Sequence, residues 1–311
     1  MCLPKQEYMK KIIGYLRAYI KNINKRVLVL SMLFVSIGIF INYYWGLNRR
    51  ISTYSPVHAY ISWLLVFLSA LSLPYMMLWV LARRNYFKNK TFLLLLLAGP
   101  ALFAWKMSFD MEIHFSNDVI SNGYWNQVLY WPYKLSVFII VLLAIWKLTG
   151  YPDSFYGWTT KEFKPKPYLI MLMIMVPLIA AASTQSDFLA MYPKMLHHLF
   201  FQRPHVQGIY KLLYELSYGS DFISIELFFR GFLVLAFVRW AGKDAILPMA
   251  CFYCTIHFGK PLGECISSFF GGMILGIVTY HTRTIFGGLM VHLGIAWLME
   301  IGGYIGNLYI H

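Results

Sequence analysis

The chain has 311 residues, 59% of them hydrophobic and only 13% charged, with a formal net charge of +14. A soluble domain carries about a quarter charged residues, and several apolar runs here approach the ~20 residues that span a bilayer, so composition excludes an ordinary soluble domain. The basic excess sits at the N-terminus and in short loops with no basic-aromatic face behind it, which excludes nucleic acid as a partner and fits charges that set membrane topology.

In chain order, residues 1–26 carry Lys5, Lys10, Lys11, Arg17, Lys21, Lys25 and Arg26. Apolar positions 9, 12, 13, 16 and 20 recur among them at helical spacing. The pattern reads equally as an amphipathic helix on the membrane surface and as a solvated basic tail that sets topology. The opening lacks a short basic region, an apolar core and a small-residue cleavage site, so no cleavable signal peptide is expected. Spanning helices are predicted at 27–47, 59–82, 91–111 and 131–148, with Pro74 kinking the second. Residues 27–149 thus form an N-terminal helical part.

The polar, proline-bearing stretch 150–167 reads as a linker to a C-terminal part, 168–311. A fifth span is predicted at 168–186. Residues 187–209, with His197, His198 and His205, read as an interfacial or re-entrant helix rather than a span. Further helices follow at 210–240, 245–258, 263–282 and 285–305. The predicted fold is an all-α, polytopic transmembrane bundle of about eight to nine membrane helices. Alternation of basic and poor loops places a multi-pass protein in the cell membrane with its N-terminus cytoplasmic; Arg49 and Arg50 are the worst exception.

Of the four cysteines, Cys2, Cys251, Cys254 and Cys265, three fall in or beside membrane helices, which argues against a disulfide framework. Cys251, Cys254 and His257 form a C-x-x-C-x-x-H run without the second ligand pair of a structural zinc site. The pairs Gly271-Gly272 and Gly287-Gly288 suit close helix approach.

The chemistry-bearing stretch is SIELFFRG, 224–231, which puts Glu226 and Arg230 inside an apolar segment. Charged groups at membrane depth are costly and mark functional sites. In an α-helix the two are four apart and share a face, so the bland reading is an intrahelical ion pair. His257 and His292 then each bring one imidazole to membrane depth. Either alone is more simply a hydrogen-bonded core residue; three consecutive segments each carrying such a group suit hydrolysis. A buried carboxylate serves as general base, and two histidines hold a metal with an acidic water or steady an oxyanion.

Glu226-x-x-x-Arg230-Gly231, the stretch 252–257 and the stretch 271–292 resemble the three motifs of the CAAX protease and bacteriocin-processing (CPBP) family of intramembrane metalloproteases. That family has paired glutamates before an arginine, then Phe-x-x-x-His, then His-x-x-x-Asn or Asp. The resemblance covers about 210–296. It implies an intramembrane endopeptidase in which Glu226 polarises water and Arg230 holds the glutamate. His257 and His292 would bind a divalent metal, zinc first, or the oxyanion. The implied substrate is a membrane-associated peptide or protein, met at the lipid bilayer. Three positions depart from the pattern: Ile225 stands for the first glutamate, Tyr253 for the phenylalanine and Ala296 for the final Asn or Asp. Asp221, one turn before Ile225, and Glu300, two turns after His292, are the acidic residues placed to compensate. The alternative is a catalytically inactive CPBP-fold protein that binds or scaffolds a membrane peptide or partner, as in bacteriocin immunity. A transporter is disfavoured because the first half holds no repeat.

Overall fold

The computed structural model describes residues 5–152, 154–161 and 163–310, with side chains described from residue 9 to residue 309. Cys2 and the side chain of Lys5 lie outside those residues. All regular structure among the described residues is helical. The main helices are α1 (Lys5–Asn22), α2 (Lys25–Trp45), α3 (Pro56–Ala82), α4 (Lys90–Ser108), α5 (Val119–Thr149), α6 (Pro165–Ala182), α7 (Gly208–Glu226), α8 (Ile246–Thr255), α9 (Leu262–Thr282) and α10 (Phe286–Ile310). Among the described residues seven, α2 to α6, α9 and α10, are long and apolar enough to cross a membrane.

The caps are local and legible. Asn24 and Asn89 each accept a backbone N–H from three residues on, at 3.2 and 2.9 Å, which satisfies orphan donors at the starts of α2 and α4. Gly46 closes α2 in the left-handed region at φ 66°.

Four predicted elements differ in the structure. The fourth span begins at Val119, twelve residues before the predicted start, because Tyr124, Val128 and Trp131 give its first turns a buried apolar face. The predicted helix at 210–240 is α-helical only to Glu226; Leu227–Ala236 is wound as a π-helix, every residue of which is buried. The four-residue face expected of Glu226 and Arg230 therefore does not describe the winding from Leu227 onward, where bonds run i to i+5. The seventh helix is only ten residues, Ile246–Thr255, about 15 Å long and too short to cross. His257 lies in the turn beyond its end. Residues 187–209 hold short helical turns, at Ser186–Leu189, Lys194–His197 and Leu199–Gln202, in place of one re-entrant helix.

The chain resolves into two compact units. The first comprises the chain up to Phe109 with Ile145–Phe163 and Leu227–Ile285. Its centre is aromatic: Phe67, Phe103, Phe228, Phe229 and Phe252 are all buried and meet as near neighbours, Phe103 standing 5.1 Å from Phe228 and Phe67 4.8 Å from Phe252. Amphipathic α1 lies on this unit. Ile12 and Tyr19 are buried, Tyr15 stacks on His281 at 4.1 Å, and Lys243 Nζ donates to the Asn22 carbonyl at 2.9 Å. Residues 150–161 also pack here: Tyr151 donates its hydroxyl to the Leu235 carbonyl at 2.7 Å, and Tyr156 is completely buried.

The second unit comprises Asp110–Ala144, Lys164–Glu226 and the chain from Phe286. In it α10 packs against α6 and α7. Its main apolar cluster holds Tyr124, Trp131, Phe200, Tyr214, Tyr218, Phe222 and Ala296.

Candidate functional site

Glu226 is the last residue of α7 and belongs to the second unit, as does His292 on α10. Glu226 has no exposed surface, and the His292 side chain keeps 15% of its own. Glu226 Oε1 and His292 Nδ1 lie 3.0 Å apart. A carboxylate only accepts, so Nδ1 carries the hydrogen and Nε2 the lone pair. One turn before Glu226, the Phe222 ring meets the imidazole edge-on, with centroids 4.8 Å apart. The carboxylate fixes the tautomer and the phenyl ring fixes the plane. What results is a basic nitrogen, backed by a buried negative charge, on the only member of the pair with surface open to the outside.

Arg230 and His257 belong to the first unit. Arg230 is completely buried. Its guanidinium lies 4.2 Å over the Tyr253 ring. His257 is buried, and its Nδ1 stands 2.9 Å from the Tyr253 carbonyl. A carbonyl also only accepts, so this imidazole too presents its lone pair at Nε2. Gly231, the glycine after the arginine, runs against the backbone at Tyr156; a Cβ there would stand 2.6 Å from the Tyr156 carbonyl oxygen.

The two compensating acids have structural engagements. Asp221 sits inside α7 and accepts the Ser224 hydroxyl at 3.0 Å. Glu300 Oε1 accepts the Lys194 backbone N–H at 3.2 Å, across the second unit. Ile225 and Ala296 are both buried. The structure also gives contacts to two residues for which the sequence assigns no role. Phe222 is one, hidden because an aromatic four residues before an acid is common in any apolar helix. Tyr253 is the other; the signal was its place four before His257, where its carbonyl reaches the imidazole.

Residues 220–298 match the Rce1-like family model, type II CAAX prenyl endopeptidase Rce1-like. The Rce1-like segment takes in Glu226, Arg230, Tyr253, His257 and His292 and agrees with the CPBP resemblance read from those residues. The match lies in a chain whose described residues hold seven helices long and apolar enough to cross a membrane. No curated protein and no solved structure matches the chain.

A catalytic zinc takes three protein ligands and a water. Two imidazole Nε2 lone pairs are donors of the right kind. Among the described residues, however, no three of His, Cys, Asp and Glu stand together as a metal site requires. The Cys251-Cys254-His257 run supplies none either: Cys254 Sγ is turned to the Cys265 carbonyl at 3.3 Å. The donors that stand together fall short of the three that a catalytic zinc requires.

Proposed function

We propose that the protein is an intramembrane endopeptidase of CAAX prenyl protease type, with its N-terminus on the cytoplasmic side. The observation that carries this reading is the Glu226–His292 pair at 3.0 Å, a buried carboxylate behind a partly exposed imidazole. His292 Nε2 takes a proton from water as the oxygen adds to the scissile carbonyl, and returns it to the leaving amine as the tetrahedral intermediate collapses. Glu226 holds the tautomer and balances the imidazolium formed midway. This is general base catalysis through an oriented histidine. The resemblance gives His257 the second imidazole and Arg230 the task of holding the glutamate. The Tyr253 carbonyl sets neutral His257 with Nε2 as acceptor, so only its protonated form suits an oxyanion.

The substrate class is the one the matching family's description implies: a membrane-borne peptide ending in a prenylated cysteine and three further residues. The test is cleavage of an internally quenched, S-farnesylated CAAX peptide by protein in liposomes. Wild type is expected to release the last three residues, with Glu226→Gln, His257→Ala and His292→Ala silent but folded. Full turnover in all three variants would overturn the reading.

One observation favours the second reading, a binding or scaffolding protein without turnover. The positions where the family pattern has a carboxylate and an amide are buried apolar residues here, and Ala296 packs in a cluster with Tyr218 and Phe222. Such a protein would bind the same farnesylated peptide and release nothing.

A further inference from the structure

We infer that Tyr253 is the positioning residue for both basic groups of its unit, Arg230 and His257. Three contacts converge on it. The Arg230 guanidinium rests 4.2 Å above its ring. Its carbonyl takes the His257 Nδ1 hydrogen at 2.9 Å, and its ring meets the His257 ring at 4.7 Å in a T-shaped pair. One residue thus sets the height of the cation, the tautomer of the imidazole and the plane of the imidazole.

The ring is itself fixed. On one side stands Phe229, 5.0 Å away and edge-on. On the other, α9 comes close at Gly272, where a Cβ would stand 2.7 Å from Tyr253 Cδ1. A glycine at this point of α9 is what lets the ring lie where it does, and Tyr253 keeps only 5% of its surface. Arg230 has no exposed surface at all. Burying a guanidinium is costly unless something offsets the lost hydration, and an aromatic face does so best when the pair is dry. Ring and carbonyl make these three contacts, and both are parts that phenylalanine, which the family pattern has at this position, also supplies.

The inference rests on the peptidase reading only for its kinetic readout. With the farnesylated peptide, Tyr253→Phe should turn over within about threefold of wild type, because ring and carbonyl both remain. Tyr253→Leu should lower kcat by about 30-fold, the worth of a desolvated cation–aromatic contact, with KM held. A purely structural role would lower the amount of folded protein and leave the kcat of what remains intact. Wild-type kcat in folded Tyr253→Leu would overturn the inference, and so would Tyr253→Phe falling as far as the leucine variant. If Tyr253→Leu fails to fold, Gly272→Ala, which presses on the ring at Cδ1, is held to the same kcat criterion. If wild type does not cleave the peptide, the peptidase reading fails alone, and 15N NMR of the His257 imidazole decides. The Nδ1–H tautomer should persist in all three, since the backbone carbonyl remains. A His257 ring held in one orientation in wild type and Tyr253→Phe but averaging between orientations in Tyr253→Leu supports the positioning role, and a ring as ordered in Tyr253→Leu as in wild type overturns it.

Discussion

Glu226 and His292 lie 66 positions apart in sequence and 3.0 Å apart at Oε1 and Nδ1. Because the carboxylate is sealed and the imidazole is not, the two act as one unit with a single outlet. Glu226→Gln and His292→Ala should each lower turnover of the farnesylated peptide by about 10²–10⁴, the usual range for a positioned base. The double variant should be no slower than the worse single one, since groups that act as a unit are not additive. A double variant slowed by the product of the two single effects would show that they work separately.

The same pair bears on metal dependence. Glu226 Oε1 is engaged with His292, and no third donor stands with them among the described residues. Extensive chelation of the purified protein should therefore leave peptide turnover within about twofold, where loss of a required zinc would remove essentially all of it. Activity abolished by chelator and restored by one equivalent of zinc would contradict the donor count.

Much of this arrangement can be read from the residues. Apolar run length places the helices, since nothing else accommodates twenty apolar residues in lipid, and the rarity of charge at depth singles out Glu226 and Arg230. Hydropathy is silent on winding, so the change from α to π at Leu227 has no signature beyond a run of large apolar side chains. It is equally silent on where a short helix stops: His257 looked like a helical residue and lies in the turn after Thr255. The Glu226–His292 contact was open to the sequence only as a resemblance between motifs. Periodicity within one helix pointed instead to Arg230, because four-residue spacing sees neighbours along a helix and not across a bundle. Tyr253 stands in the sequence only as a substitution within a motif; its contacts with Arg230 and His257 are made across space by ring and carbonyl, and no spacing rule reports them.

Acid should destabilise the second unit in two separate windows. His198 Nδ1 accepts the Phe200 N–H at 3.3 Å, and its ring lies among Tyr124, Phe201 and Tyr214. Burial lowers its pKa, against a smaller opposing contact with the Gly123 backbone. The folded form thus binds the proton less readily than the unfolded chain, whose histidine titrates near pH 6.5. Stability is full above that value and falls as pH drops below it. Asp118 is held down to about 2, first by the Ser121 hydroxyl and then by Arg203, which donates to it at 2.8 Å. Its contribution is present above the ordinary carboxylate value near 4 and is lost as pH falls toward 2. Melting temperature against pH should flatten between 7 and 5 in His198→Gln, and only below about 4 in Asp118→Asn. Identical profiles for both variants and wild type would remove these groups from the acid response.

Gly231→Ala tests the seating of the arginine segment. The added methyl would stand 2.6 Å from the Tyr156 carbonyl oxygen and 3.0 Å from its Cβ. Tyr156 has no room to yield. It is completely buried in the left-handed region at φ 44°. The next carbonyl, Gly157, accepts the Ile285 N–H at 3.0 Å, and the Tyr151 hydroxyl binds the Leu235 carbonyl further along the same π-helix. Relief must come from the π-helix, which carries Arg230 next to the substituted residue. The variant should lose about 1–3 kcal/mol of stability, the ordinary cost of overpacking a filled site. Peptide turnover should fall beyond what the loss of folded protein accounts for, since the guanidinium shifts from its place over Tyr253. A variant that melts with wild type would show that the 150–161 segment gives way to the π-helix, and that the glycine after the arginine serves some other end.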